Sequence, residues 1–369
     1  MNIGIMVRTI DEKQGIGIYT INLLDNMLSL DKENKYVLFY YNTNYFDRYS
    51  SYPSVTRELV TAGNKLLWDQ FAIPRAARKY KLDIIFNTKF SVPLFSPCPT
   101  AMVMHGSEWF VYPKHYKASD IRYQKIMMKI YLKRASLILS VSDRAKLDMI
   151  KYAGGDPGKF RTVHLAANDR FMRLTDEKEF RNIKEKYGLP DTFLLWVGRI
   201  YPGKNVGALL EAFKRIMGDI PHKLMLVGGL RWDYENELRL INSPELKGRV
   251  TLLDWVDPED LPAFYSMASA FVFPSWYESC PAPPWEAMGC GCPVVTTKGG
   301  GTPEVVGDAA YFVDPSDPRD IGEGILRVIN DRELREALII KGHEQLKKFT
   351  WEKCARETLD AIKTLRTNV

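Results

Sequence analysis

Long apolar runs are missing from this 369-residue sequence. None approaches the roughly 18 residues of a membrane-spanning helix, so no such helix is expected. Cysteine is scarce and unpatterned: Cys98, Cys280, Cys290, Cys292 and Cys354 are odd in number and include no Cys-x-x-Cys spacing. A disulfide framework or zinc site is therefore not expected. Cys290 and Cys292 read as small packed apolar residues, and the usage as a whole fits a reducing, cytoplasmic compartment. The first residues run straight into a strand-like apolar stretch without the basic and hydrophobic regions of a secretory signal. A complete G-x-G-x-x-G, a Walker A loop and an Asp-x-Asp pair are all absent; the first two absences remove the usual dinucleotide and P-loop fingerprints.

What is present is the composition of a globular chain, 46% apolar and 26% charged, long enough for two domains of ordinary size. The charge is divided unevenly. Residues 1–172 carry 25 Lys/Arg against 15 Asp/Glu, net +10, and the remainder 26 against 30, net −4. The first half is thus suited to an anionic neighbour, or is simply a solvated basic surface. Nucleic acid is not the expected partner, since zinc-finger spacing and the aromatic-basic signature of RNA binding are lacking.

Short apolar runs alternate with helical periodicity along the whole chain. Strands are predicted at 2–7, 36–40, 83–86, 100–104 and 137–141, with helices at 66–80, 117–134 and 143–152 among them. The pattern lapses from 163 to about 178 and then resumes: strands at 193–197, 223–227, 250–253, 270–273, 294–296 and 310–313, with a helix over 206–216. Such alternation predicts an α/β fold of two Rossmann-like, doubly wound parallel-sheet domains, covering 1–172 and 173–350. A closing helix follows in 351–369. Along residues 122–134, Arg122, Lys125, Lys129 and Lys133 share one flank while Ile126, Met127, Ile130 and Tyr131 lie on another. That pattern suits an ordinary covering helix, or one resting on anionic lipid.

Ligands of open α/β sheets bind at the carboxyl ends of the strands, and four stretches fall there. Gly15 and Gly17 form a glycine-containing turn after the first strand. His105 directly follows the strand 100–104. Arg199 and Lys204 share the loop after 193–197; two cations before a helix suit a diphosphate, one as a bidentate fork and one as a point charge. Finally, residues 277–293 put Glu278 on the loop after the strand 270–273 and Glu286 in the first turns of a helix opened by Pro283 and Pro284. A helix N-terminus between two carboxylates suits a ligand that is both phosphorylated and rich in hydroxyls, such as a sugar nucleotide. The glycine-rich turn 298–302 is either a further anion cradle or a plain connection.

These residues resemble a known group. V-G-R-x(4)-K-N (197–205), E-x7-E-A-M-x-C-G-x-P-V-V (278–295) and G-G-x-x-E-V-V-G-D-A-A-x-x-V-D-P (300–315) look like the retaining GT-B glycosyltransferases of family 4. The turn G-I-G-x-Y-T (15–20), Leu67-Trp68 and the strand-end His105 extend the likeness over most of the chain. The resemblance implies two Rossmann-like domains facing a cleft, with the nucleotide in the second and most of the acceptor site in the first. The last helix would cross back to the first domain. It implies that Glu286 holds the ribose, that Glu278 and Ala282 meet the donor sugar, and that Arg199 and Lys204 bind the diphosphate. His105 would lie beside the sugar, and the Gly15–Gly17 loop close to the reacting centre. The donor would be a nucleoside-diphosphate hexose (GDP-mannose by the likeness of the glycine turn, UDP-sugars being the alternative), with no cofactor, and the missing Asp-x-Asp pair predicts that transfer needs no metal. The acceptor would be a glycan or lipid-linked glycan at the cytoplasmic membrane face.

Two places depart from the family. Where it reads E-G-F-G-L-P, this chain reads Glu278-Ser279-Cys280-Pro281-Ala282-Pro283, and Gly106 replaces the aspartate that commonly follows the histidine. Three other readings compete. A glycoside hydrolase would use Glu278 and Glu286 as its carboxylate pair but needs no diphosphate cations. A non-catalytic nucleotide-sugar-binding protein would keep the fold without turnover. A dinucleotide oxidoreductase would need the missing glycine fingerprint.

Overall fold

The computed structural model describes residues 1–12 and 15–366. In the first half the strands are β1 (Asn2–Met6), β2 (Lys35–Tyr40), β3 (Val55–Leu59), β4 (Ile84–Asn87), β5 (Thr100–Met104), β6 (Leu137–Ser140) and β7 (Phe160–Thr162). They form one parallel sheet in the order β3-β2-β1-β4-β5-β6-β7. The second half supplies β8 (Phe193–Val197), β9 (Lys223–Val227), β10 (Val250–Leu253), β11 (Ala270–Phe273), β12 (Val294–Thr296) and β13 (Ala310–Phe312). These make a second parallel sheet, ordered β10-β9-β8-β11-β12-β13. Central strands such as Phe193-Leu194-Leu195-Trp196 are fully buried, because helices cover both faces of a parallel sheet. In each sheet the order reverses once, between β1 and β4 and between β8 and β11. The loops leaving those strands are where such sheets open a ligand crevice.

β3 and β7 went unread in the sequence, and both are edge strands. β3 is half exposed and polar, and β7 has three residues, so neither carries the apolar run that marks a central strand. The helix expected over 66–80 is present but interrupted. Lys65–Leu67 and Ile73–Lys79 are α-helical, and Trp68–Ala72 between them is a π turn, with the Ile73 amide bonded to the Trp68 carbonyl. Pro74 explains the widening: it has no N–H to offer the Gln70 carbonyl, so the ladder shifts by one residue before it.

The chain divides into two compact units. The first comprises residues 1–113, 117–165 and the segment from Thr350; the second comprises 114–116 and 166–349. The change of unit at 165/166 precedes the sequence-based boundary at 172/173. The reason is that Phe171 packs edge-on against Tyr265 at 5.8 Å and the Leu174 amide donates to Ser266 Oγ at 3.0 Å. Within the first unit the helix Trp351–Lys363, capped by the Thr350 side chain on the Lys353 amide, lies against the helix Ile16–Leu30. Trp351 and Tyr19 meet there with ring centroids 6.0 Å apart. Among the described residues no helix is long and apolar enough to cross a membrane. Ile362 on the last helix is fully buried, so Ile362→Ala is expected to lower stability by about 2–5 kcal/mol, read as a lower urea midpoint.

Candidate active site

In the second unit the crevice between β8 and β11 is built from two loops. After β8 the backbone passes Gly198 and Arg199 to a short turn, Pro202–Lys204, and Arg199 stays exposed to solvent. Gly198 lies very close to Gly228 after β9: a Cβ on Gly228 would sit 2.0 Å from the Gly198 carbonyl oxygen. Asn205 then adopts a left-handed conformation at φ 56°, which asparagine tolerates better than most residues. Its side-chain amide donates to the carbonyls of Pro274 at 3.1 Å and Pro315 at 2.7 Å. That anchor fixes the turn and, with it, Lys204.

Lys204 Nζ donates to Glu278 Oε1 at 2.6 Å, with the two side chains only 15% and 13% exposed. The ammonium also lies 5.1 Å from the Phe273 ring centre, at the end of β11, where the ring's negative face favours a cation. Glu278 is held by the glycine-rich turn. Gly301 donates its amide to the Glu278 carbonyl at 2.7 Å, and a Cβ on Gly300 would sit 2.1 Å from that same oxygen. The turn at 298–302 therefore serves first as a close backbone brace for Glu278.

The helix expected after Glu278 runs from Ala282 to Gly289, with Pro281 at its N-cap and no side-chain cap. Pro281 suits this place through its φ of −73°. Prolines at 281, 283 and 284 also leave the Ala282 amide as the sole donor of the first turn. The helix dipole still favours an anion, but the row of free N–H groups expected from the sequence is reduced to one. Glu286 projects from the next turn and accepts from the Tyr265 hydroxyl at 2.9 Å. Burial pushes its carboxyl up to about 7, opposed by that hydrogen bond and by the nearby Arg170.

In the first unit, His105 follows β5, as expected. Its Nε2 lies 2.7 Å from the Thr88 carbonyl oxygen, just beyond β4. A carbonyl only accepts, so Nε2 carries the proton and Nδ1 presents a lone pair. Tyr19 packs edge-on against the ring at 4.8 Å. Burial depresses the imidazole to about 4, so His105 is neutral at pH 7 and acts there as a hydrogen-bonding group, not as a cation. Thr20 bonds Thr88 through the two hydroxyls at 2.9 Å, linking the helix after the glycine turn to the histidine. Gly15 has a positive φ of 52°. A Cβ on Gly17 would lie 1.8 Å from the Glu12 carbonyl oxygen, so Gly17 is required by close backbone approach. Residues 13–14 of that loop lie outside the described residues.

The structure thus gathers Lys204, Glu278, Ala282 and Glu286, with Arg199 in the Lys204 loop, in the second unit. Gly15, Gly17 and His105 fall together at the strand ends of the first. Sequence reasoning missed Thr88 and Tyr265, and gave no role to Tyr19 and Asn205, held only as members of motifs, or to Phe273, held only as the end of a strand. Thr88 carried a usable signal, its place just past a predicted strand. Tyr265 carried none, since its helix contributes no motif.

Known proteins resemble this chain in sequence and in fold. Residues 177–345 match the family model for glycosyl transferases group 1. The chain is 31% identical over 293 residues to O-antigen chain mannosyltransferase B of Escherichia coli, covering 79% of this chain and 76% of that one. Over 237 residues it is 27% identical to the serotype-specific mannosyltransferase WbdA of Escherichia coli, of which it spans only 29%. Among solved structures, sucrose-phosphate synthase from Thermosynechococcus elongatus superposes with a TM-score of 0.78 at 20% identity over 100% of both chains. Anabaena HepE in complex with UDP and glucose superposes at 0.75 and 16% identity, over 99% of this chain and 100% of that one. The fold and strand-end site define a GT-B glycosyltransferase. The chain belongs to the group 1 glycosyltransferase family.

Two outcomes test the local chemistry. Glu286→Gln keeps an acceptor for Tyr265 and removes the buried charge. A carboxyl raised from 4.5 to about 7 penalises the folded state progressively as pH rises from 4.5 through 7. The variant should therefore melt above wild type at pH 8, by the equivalent of up to about 3 kcal/mol, with no gain at pH 4. Asn205→Ala loses two hydrogen bonds and keeps an unfavourable φ. It should cost about 2 kcal/mol in urea unfolding.

Proposed function

We propose that this protein is a retaining, metal-independent hexosyltransferase that uses a nucleoside-diphosphate sugar, with GDP-mannose as the favoured donor. The acceptor is a glycan or lipid-linked glycan, met at the cytoplasmic face of a membrane. The carrying observation is the Lys204–Glu278 pair, 2.6 Å apart at the crevice between β8 and β11. Glycosyl transfer breaks the bond between the anomeric carbon and a phosphate oxygen, and negative charge gathers on the departing diphosphate. An ammonium already held at the site, with Arg199 on the same loop, stabilises that charge by passing from Glu278 to the diphosphate. Glu278 is then free to accept hydrogen bonds from sugar hydroxyls, and Glu286 from the ribose. His105, neutral with an open Nδ1, accepts a hydrogen bond from a hydroxyl and supplies no charge. Mannose is supported by the named activities of the Escherichia coli relatives.

The single N–H donor at the start of the Ala282–Gly289 helix favours a second reading, a protein that binds nucleotide sugars without transferring them. A thermal-shift panel of UDP, GDP, ADP, dTDP and CMP begins the test. A diphosphate at a hundredfold excess over its Kd stabilises by about 2.7 kcal/mol. GDP should give the largest shift, and Lys204→Ala should reduce it. Mannosyl transfer from GDP-mannose to extracted glycolipid should persist in EDTA. Activity lost to EDTA and restored by Mg²⁺ would overturn metal independence, and a GDP shift without any transfer would select the binding protein.

A further inference from the structure

The helix Ala118–Arg134 has two apolar stripes. At 100° per residue, Met128, Tyr131 and Leu132 fall on one side and are buried in the first unit's core. An ordinary covering helix is polar on the opposite side. Here that side carries Tyr123, Ile126 and Ile130, which are 56%, 56% and 38% exposed. Beside this row, on the same outward arc, run Arg122, Lys129 and Lys133, all exposed. The helix holds no acidic residue from Ile121 to Arg134. Among the described residues no ion pair engages these three cations. The surface continues onto the helix Asp143–Ala153, where the exposed Tyr152 lines one groove with Ile126 and Lys129.

An unpaired apolar row is ordinarily covered by a partner. A soluble acidic partner would satisfy the cations and leave isoleucines in water. A bilayer with anionic headgroups satisfies both rows at once: apolar side chains enter the headgroup–acyl boundary while the longer basic chains reach phosphates. We infer that the outward face of Ala118–Arg134, with Tyr152 beside it, is a docking surface for an anionic lipid bilayer. Tyr123, Ile126 and Ile130 insert, and Arg122, Lys129 and Lys133 bind the headgroups. This deepens the proposed function by naming the surface that brings the first unit to a membrane-borne acceptor, and it rests on that reading only for its purpose.

The test is co-sedimentation of the full chain with vesicles, which needs no turnover and so fails independently of the transferase assignment. Vesicles of 30% phosphatidylglycerol in phosphatidylcholine should retain the protein, with retention falling as salt is raised. Pure phosphatidylcholine should retain far less. At about fivefold per cation near such a surface, Arg122→Glu/Lys129→Glu/Lys133→Glu should weaken binding by on the order of a hundredfold or more. Ile126→Ser/Ile130→Ser should weaken it about tenfold or more at unchanged charge. Lys178→Glu/Arg181→Glu/Lys347→Glu, an equal charge change on the second unit, should behave like wild type, and circular dichroism confirms that every variant is folded. Absence of retention on anionic vesicles, or equal loss with the second-unit control, overturns the proposal. Sensitivity to the charge variant alone overturns insertion of the apolar row. Retention equal on both lipids, or transferred to RNA or an acidic protein with the isoleucines irrelevant, overturns the choice of a bilayer.

Discussion

An ammonium and a carboxylate held together with little water are the constraint around which the second unit is arranged. Stripping two charges of solvent is unfavourable, and their attraction repays it only when geometry and further contacts are good. Each nearby element contributes to that geometry. Asn205 pins the turn that carries Lys204, Phe273 lies beneath the ammonium, and Gly300 and Gly301 brace the backbone of Glu278. A pair maintained at this cost is poised for exchange. A diphosphate offers Lys204 more charge than one carboxylate does, and Glu278 changes partners as the proposed donor enters.

The two units apply one architectural rule with different chemistry. Both reverse strand order once, and in both the functional residues follow the carboxyl ends of strands at the reversal or, for His105 after β5, one strand beyond it. In the second unit the loops present charge. In the first they present a neutral imidazole steadied by Thr88, Thr20 and Tyr19. Glycines occur where one backbone must touch another, as with Gly17 on Glu12, Gly228 on Gly198 and Gly300 on Glu278. They set loop geometry more than they bind anything themselves.

This division explains what the sequence disclosed. Central strands were legible because a parallel sheet buries both faces and leaves an unbroken apolar run; His105 was legible because it directly follows such a run, and Lys204, Glu278 and Glu286 because they lie on the loop or helix that comes next. β3 and β7 were hidden because an edge strand needs no such run. The π turn was hidden because Pro74 acts on a carbonyl four residues earlier, through a bond that does not form. The prolines at 283 and 284 were read as helix starters, which they are, but their missing amides also remove anion donors. Tyr265 and Phe273 act through contacts long-range in sequence, for which no local pattern exists.

The division into units has a consequence for synthesis. The second unit, apart from residues 114–116, is continuous in sequence from 166 to 349, whereas the first is completed only by the segment that begins at Thr350. A chain emerging from the ribosome normally settles its N-terminal domain first. Here the domain begun first stays open along the flank of Ile16–Leu30 until the helix Trp351–Lys363 has cleared the exit tunnel. Translation therefore finishes one domain inside the span of another, and truncating the end of the message damages the fold at its beginning.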